Sequence, residues 1–274
     1  MSILLSAYFP EGIVFAADKN ATLLYSTPGC MNQDVDVEVG AATKVIPWAR
    51  RRAVVGYCGL GRLAGLTMEE WMRQFAAQTR DFDDLAIIAT QMRELIQRDF
   101  DQDYPEGVNI DNAGLIVHFG GFRYENGTPV PAMYLISNVP GFDEGGKYKR
   151  AVRNFRGPSD EVHKTWAVEG GVKHPSDYKP LVEQIYRDGG LLWFNNGLYF
   201  PAFNVLKGTL WAALTTIRNS GIIPLPSTPS LEDRVAYCKM SVELFDSFFR
   251  HHAPPRYRFV GGGADAEWVP WPEE

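Results

Sequence analysis

Residues 1 to 22 constrain the fold of this chain more than any other stretch. Ile3 to Phe9 is a β-rich run, Pro10-Glu11-Gly12 supplies turn chemistry, and Ile13 to Ala17 is a second apolar run. Two such runs across a tight turn predict an antiparallel hairpin that opens at residue 3. A sheet then holds the start of the chain, with residue 2 beside it. The second strand ends at Asp18, a carboxylate directly after buried-type residues. Once Met1 is removed, Ser2 carries a hydroxyl and a free α-amine, a nucleophile and a base on one residue.

The rest of the chain extends this pattern. Ser26 to Gln33 reads as a loop, Asp34 to Val39 as a short half-exposed strand, and Ala53 to Gly61 as a strand ending in a glycine-rich corner. Thr67 and Glu70 form a capping box before a helix with Met68, Trp71, Met72 and Phe75 on one face. Phe82-Asp83-Asp84 opens a second helix. Asp101 to Asn112 reads as a loop. Ala113 to Arg123 and Val130 to Asn138 are strands joined across Asn126-Gly127. Residues 139 to 161 read as an exposed excursion and Val162 to Val168 as a strand, while 172 to 200 match no template. Helices are expected over Ala202 to Asn219 and after Ser230, the latter with Val235, Cys238, Val242, Phe245 and Phe249 on one side. Arg256 to Val260 and Glu267 to Val269 flank Gly261-Gly262-Gly263 as a final hairpin. Strands, two helices, strands, two helices and a strand make an α+β fold, with two antiparallel sheets between helix layers. With no repeat and no linker, we expect a single domain over 1–274, with insertions near 26–38 and 139–200.

Composition narrows the function. The 274 residues are 45% hydrophobic and 22% charged, ordinary for a soluble globular protein. A net charge of -6 without a basic stripe argues against nucleic acid. Cys30, Cys58 and Cys238 are widely spaced, which suggests a reducing compartment and offers no metal-type pair. The N-terminus lacks a basic n-region, and no apolar run reaches the roughly 20 residues that span a bilayer. We therefore expect a cytoplasmic protein with no membrane contact. Nucleophile-elbow, P-loop and zinc-protease motifs are absent, the five histidines are scattered, and no cofactor or metal is expected. His118 lies inside an apolar strand and reads as a core residue. The chain's beginning is left as the seat of chemistry.

Gly12-Ile13-Val14-Phe15-Ala16-Ala17-Asp18-Lys19-Asn20-Ala21-Thr22 resembles the Gly-to-Thr run of proteasome β-type subunits and their bacterial HslV relatives. The Ser2-to-Asp18 spacing matches that family's spacing from nucleophile to aspartate. Thr43-Lys44-Val45-Ile46 resembles its lysine segment, displaced by an apparent insertion around Thr27 to Asp36. Val55-Gly56-Tyr57-Cys58-Gly59-Leu60-Gly61 is similar to its glycine corner. The resemblance covers residues 2 to 138 and, more weakly, 230 to 269.

This resemblance implies a four-layer αββα N-terminal-nucleophile hydrolase sandwich cleaving peptide or other amide bonds. Its implied roles are Ser2 as nucleophile and amine base, Lys44 as the charged neighbour, Asp18 as the partner of Lys44, and the Gly59 N–H as oxyanion donor. Thr22 and Gly61 would pair with an extended substrate, and Tyr57 would line the pocket before the cut. The chain differs from the family in having serine as nucleophile, in Glu169-Gly170-Gly171 standing where a Ser-Gly is usual, and in the residues before Gly261. No propeptide is expected ahead of Ser2. The implied partners are a peptide or unfolded protein substrate, a homo-oligomeric ring, and an ATPase of unknown identity. A non-catalytic assembly protein and a small-substrate amidase or acylase are the alternatives.

Overall fold

The computed structural model describes residues 3–23, 38–48, 53–79, 84–111, 113–141, 149–169, 171–187, 192–197, 208–209, 212–213, 216, 220, 229–252 and 262–272. Strands β1 (Ile3–Phe9) and β2 (Gly12–Asp18) form the opening hairpin, with Leu4 opposite Ala17 and Phe9 opposite Gly12. All fourteen of their residues are buried. Short strands follow: β3 (Asn20–Leu23), β4 (Glu38–Ala41), β5 (Val45–Trp48), β6 (Ala53–Gly59), β7 (Arg62–Leu63) and β8 (Leu66–Thr67). Residues 24–37, where the loop and part of an expected strand fall, lie outside the described residues.

Helix α1 (Met68–Gln78) begins as expected: the Thr67 hydroxyl accepts from the Glu70 N–H while the Glu70 carboxylate accepts from the Thr67 N–H. Asp84 caps α2 (Leu85–Asp103), which runs past the loop expected from Asp101. Strands β9 (Leu115–Glu125) and β10 (Thr128–Ser137) meet across Asn126 and Gly127, both at positive φ, the conformation a two-residue hairpin turn requires.

The stretch beyond departs from the sequence reading. Part of the expected excursion is β11 (Arg156–Asp160), which pairs with β10, and its neighbour Phe155 is buried against α2. The expected strand over Val162 to Val168 is helical instead, with a π-helical turn over His163–Glu169. Asp160 accepts the His163 N–H, a cap that starts a helix, and the buried Trp166 packs edge-on to Tyr8. Helix α3 (Tyr178–Arg187) and strand β12 (Leu192–Gly197) occupy the segment that matched no template.

Helix α4 (Leu231–His252) starts at a second capping box, Ser230 with Asp233. Val235, Cys238, Val242 and Phe245 pack inward; Phe249 lies outside the side chains described. Most of the helix expected over 202–219 also lies outside them, as do Arg256 to Val260. The C-terminal partner of the expected last hairpin is found as β13 (Ala264–Pro270), paired with β2.

Two larger sheets result, both antiparallel. One has the order β12-β1-β2-β13, the other β11-β10-β9-β6-β5. Alternation along the strands sorts their side chains into three cores. Val55, Tyr57, Val117 and Phe119 pack with α1 and α2. Leu4, Tyr8, Phe15, Val54, Cys58 and Ile116 pack sheet against sheet. Ile3, Leu5, Val14 and Ala16 pack with α4. The sheets approach closely at two glycines: a Cβ on Gly56 would lie 2.5 Å from Leu4, and one on Gly120 2.7 Å from Phe15. The architecture is α+β with antiparallel sheets.

Candidate active site

The hairpin delivers Asp18 to the end of β2, fully buried. An isolated buried carboxylate is costly, so its surroundings must supply partners. They do so at both oxygens. Oδ1 accepts the backbone N–H of Ile3 at 2.7 Å, and Oδ2 receives the Lys44 ammonium at 3.0 Å. Lys44 is itself 4% exposed. Burial pushes the Asp18 carboxyl up, while the Lys44 charge and the Ile3 N–H pull it back down. The pair joins the end of one sheet to the edge of the other, because Lys44 directly precedes β5.

The nitrogen that donates to Asp18 is bonded to the carbonyl carbon of Ser2. Ser2 itself lies outside the described residues.

Gly59 ends β6, is exposed, and has φ +109, a conformation that favours glycine. A Cβ there would lie 2.0 Å from the Gly114 carbonyl oxygen. The adjacent Leu60 N–H donates to that oxygen at 2.8 Å. Gly61 is also exposed, and its carbonyl accepts the Met68 N–H that starts α1. Thr22 pairs with Val39 in the small β3–β4 sheet; its side chain is outside the description. Tyr57 is 4% exposed, its ring sits in the core beneath α1 and α2, and its hydroxyl donates to the Thr43 carbonyl at 2.9 Å.

Cys58 lies one position along from Tyr57 and so faces the other sheet. Burial pushes its thiol up to about 12, with the charges of Lys44 and Asp18 acting on it in opposite senses. A thiol of that acidity stays protonated at neutral pH and is a poor nucleophile. Among the described residues, no group of acidic, histidine and cysteine side chains is placed to hold a metal ion, and no helix is long and apolar enough to cross a membrane.

Sequence reasoning missed two features near this site. One is the Ile3 N–H, a backbone donor that composition does not reveal. The other is a polar link between the sheets: Ser6 Oγ and His118 Nδ1 are 2.8 Å apart, and both residues are fully buried. A single polar residue within each apolar run, Ile3 to Phe9 and Leu115 to Gly121, was the available signal.

No protein-family model matches the chain, and no curated protein matches it. Among solved structures, the chain is similar to Anbu (ancestral beta-subunit) from Yersinia bercovieri, with 14% identity, 98% of this chain and 81% of that one covered, and a TM-score of 0.47. It is also similar to the Anbu (Gly-1) mutant from Hyphomicrobium sp. strain MC1, at 13% identity over 99% and 84% of the two chains with a TM-score of 0.48. A second Anbu structure from that strain gives 13%, 98%, 84% and 0.42. At this overlap the likeness assigns neither family nor activity. The sequence reading is corrected on another ground: the resemblance to proteasome β-type subunits and HslV does not amount to membership, since no family model and no curated protein matches the chain. Short motifs around one hairpin and one glycine corner are too local to establish a family.

Proposed function

We propose that the chain is an N-terminal-nucleophile hydrolase that cleaves an amide bond through Ser2 after loss of Met1. One observation carries the reading: the buried Lys44–Asp18 pair whose carboxylate also holds the Ile3 N–H. Burying two charges costs several kcal/mol per ion, and an apolar pair of similar volume is often no less stable. A use for the ammonium accounts for its place beside the peptide that follows Ser2.

The Ser2 hydroxyl oxygen attacks the substrate carbonyl carbon and passes its proton to the α-amine of the same residue, directly or through water. That amine titrates near about 7.7–8.0 in peptides, and a neighbouring ammonium lowers it by like-charge repulsion. The lowered amine is then free to act as base near neutral pH. The carbonyl oxygen becomes an oxyanion, stabilised by the Gly59 N–H; one donor of this kind is typically worth about 2.7–4 kcal/mol. Collapse breaks the C–N bond, and the leaving amine takes the proton held by the α-ammonium. Water then hydrolyses the Ser2 ester. Thr22 and Gly61 offer backbone to an extended peptide substrate, by strand addition. The same reading extends the fold to a four-layer αββα sandwich, supported by the succession of three cores, and places the protein in the cytoplasm.

The test begins with intact mass. The native protein should lack Met1, and its cleavage of amide substrates should vanish in Ser2→Ala and fall by at least a hundredfold in Lys44→Ala, a loss of roughly 3 kcal/mol. Retention of Met1, or equal activity in either variant, overturns the reading.

A further inference from the structure

The segment 42–44 leads from β4 into β5 and carries Lys44. Its backbone is held from three sides. The Ala42 N–H donates to the Lys19 carbonyl at 2.8 Å. The Thr43 N–H makes a long contact, 3.4 Å, to the Glu69 carboxylate on α1. The remaining two holds come from a single residue. The Tyr57 hydroxyl donates to the Thr43 carbonyl at 2.9 Å, and the Tyr57 N–H donates to the Lys44 carbonyl at 3.0 Å. These carbonyls belong to the peptide planes on either side of the Lys44 Cα. Fixing both planes fixes the direction in which the Lys44 side chain leaves the backbone.

We propose that Tyr57 is a positioning residue for Lys44, holding both flanking peptides so that the ammonium reaches Asp18. This rests on the reading of Lys44 as part of a hydrolytic site. Tyr57 suits the task because it is anchored elsewhere. Its backbone lies in β6, paired on both sides, and its ring is 4% exposed in the core beneath α1 and α2. Burial, reinforced by the Glu69 charge, pushes its phenol well above the ordinary range, so the hydroxyl stays a donor at any working pH. The helix-side core thus sets the position of a charge that lies between the sheets.

Tyr57→Phe keeps the ring and the N–H and removes the hydroxyl alone. Two readouts separate positioning from packing and from substrate contact. The ¹⁵N signal of the Lys44 side-chain ammonium, assigned with Lys44→Arg, should shift or broaden in Tyr57→Phe. Amide cleavage should lose about tenfold in kcat with KM within about twofold, the scale of a slightly misplaced catalytic group. An unchanged ammonium signal overturns the inference, whatever happens to kcat. A rise in KM at unchanged kcat also overturns it, because that places Tyr57 against the substrate. If the wild-type protein cleaves no amide, the hydrolase reading fails and the ammonium signal alone decides the positioning role. Glu69→Ala guards against misfolding of the first variant. It lies outside the core, removes the contact to the Thr43 N–H one peptide before those held by Tyr57, and should move the Lys44 signal in the same direction by less. A silent signal in the folded Glu69→Ala variant, where Tyr57→Phe fails to fold, overturns the proposal.

Discussion

Two residues define the site, and both are buried: Asp18 and Lys44 form an ion pair in which Lys44 is 4% exposed. Asp18 also accepts the Ile3 N–H. Asp18→Ala should destabilise the protein by about 3–5 kcal/mol in urea unfolding, the usual cost of breaking a buried ion pair by removing one partner. Asp18→Ala combined with Lys44→Met should regain part of that loss. Failure of the double variant to recover would show that the Ile3 hydrogen bond, and not the ion pair, holds this corner. The sequence named both residues, because each sits at the edge of a recognisable β run. It did not show that Ile3 is the third member, since a backbone N–H leaves no mark in composition. Nor did it show that Tyr57 faces the helices, which follows only once the β6 register is known.

Elements were legible in proportion to how local their causes are. The opening hairpin, the Thr67–Glu70 and Ser230–Asp233 boxes and the Asn126–Gly127 turn are each specified within a few residues, and all are found. Strands β11 and β12 were missed because they are short and defined by a neighbour rather than by alternation. β11 carries Gly157, Pro158 and a register shift against β10. The π-helical turn carries no periodic signature; its start is capped by Asp160, which accepts the His163 N–H, and Trp166 docks on Tyr8. The local devices also permit a local test. Thr67→Ala should cost about 0.5–2 kcal/mol by removing the α1 cap, measured as a fall in the denaturation midpoint with unchanged slope.

At the scale of the molecule, the two sheets share one core and a polar contact within it. Ser6 and His118 meet there without water access. Burial pushes the His118 imidazole down to about 3, far below its ordinary value. Below about pH 6.5 the unfolded chain takes up a proton that the folded chain refuses, so stability falls as pH falls from about 6.5 toward 3, by at most about 1.4 kcal/mol per pH unit. His118→Gln should start less stable at pH 7 and show a flatter acid limb. Comparing the two proteins isolates the imidazole from Asp18 and Asp160, whose raised values act in the opposite direction. Parallel acid limbs would remove His118 as the cause.

The strand order β12-β1-β2-β13 also sets a schedule for synthesis. Strand β1 is an interior strand, and Ile3 finds its second neighbour only at Gly197. Strand β2 waits longer still, for Ala264 to Pro270. During translation the hairpin therefore leaves the ribosome with both outer edges open, and long-range pairing of this kind is slow and prone to aggregation. The corner that brings Asp18 to Ile3 therefore gains its last neighbouring strand only with β13. A nascent chain stopped before residue 264 should accordingly be captured by chaperones or aggregate, and should leave Lys44 open to amine-reactive reagents that the full chain excludes.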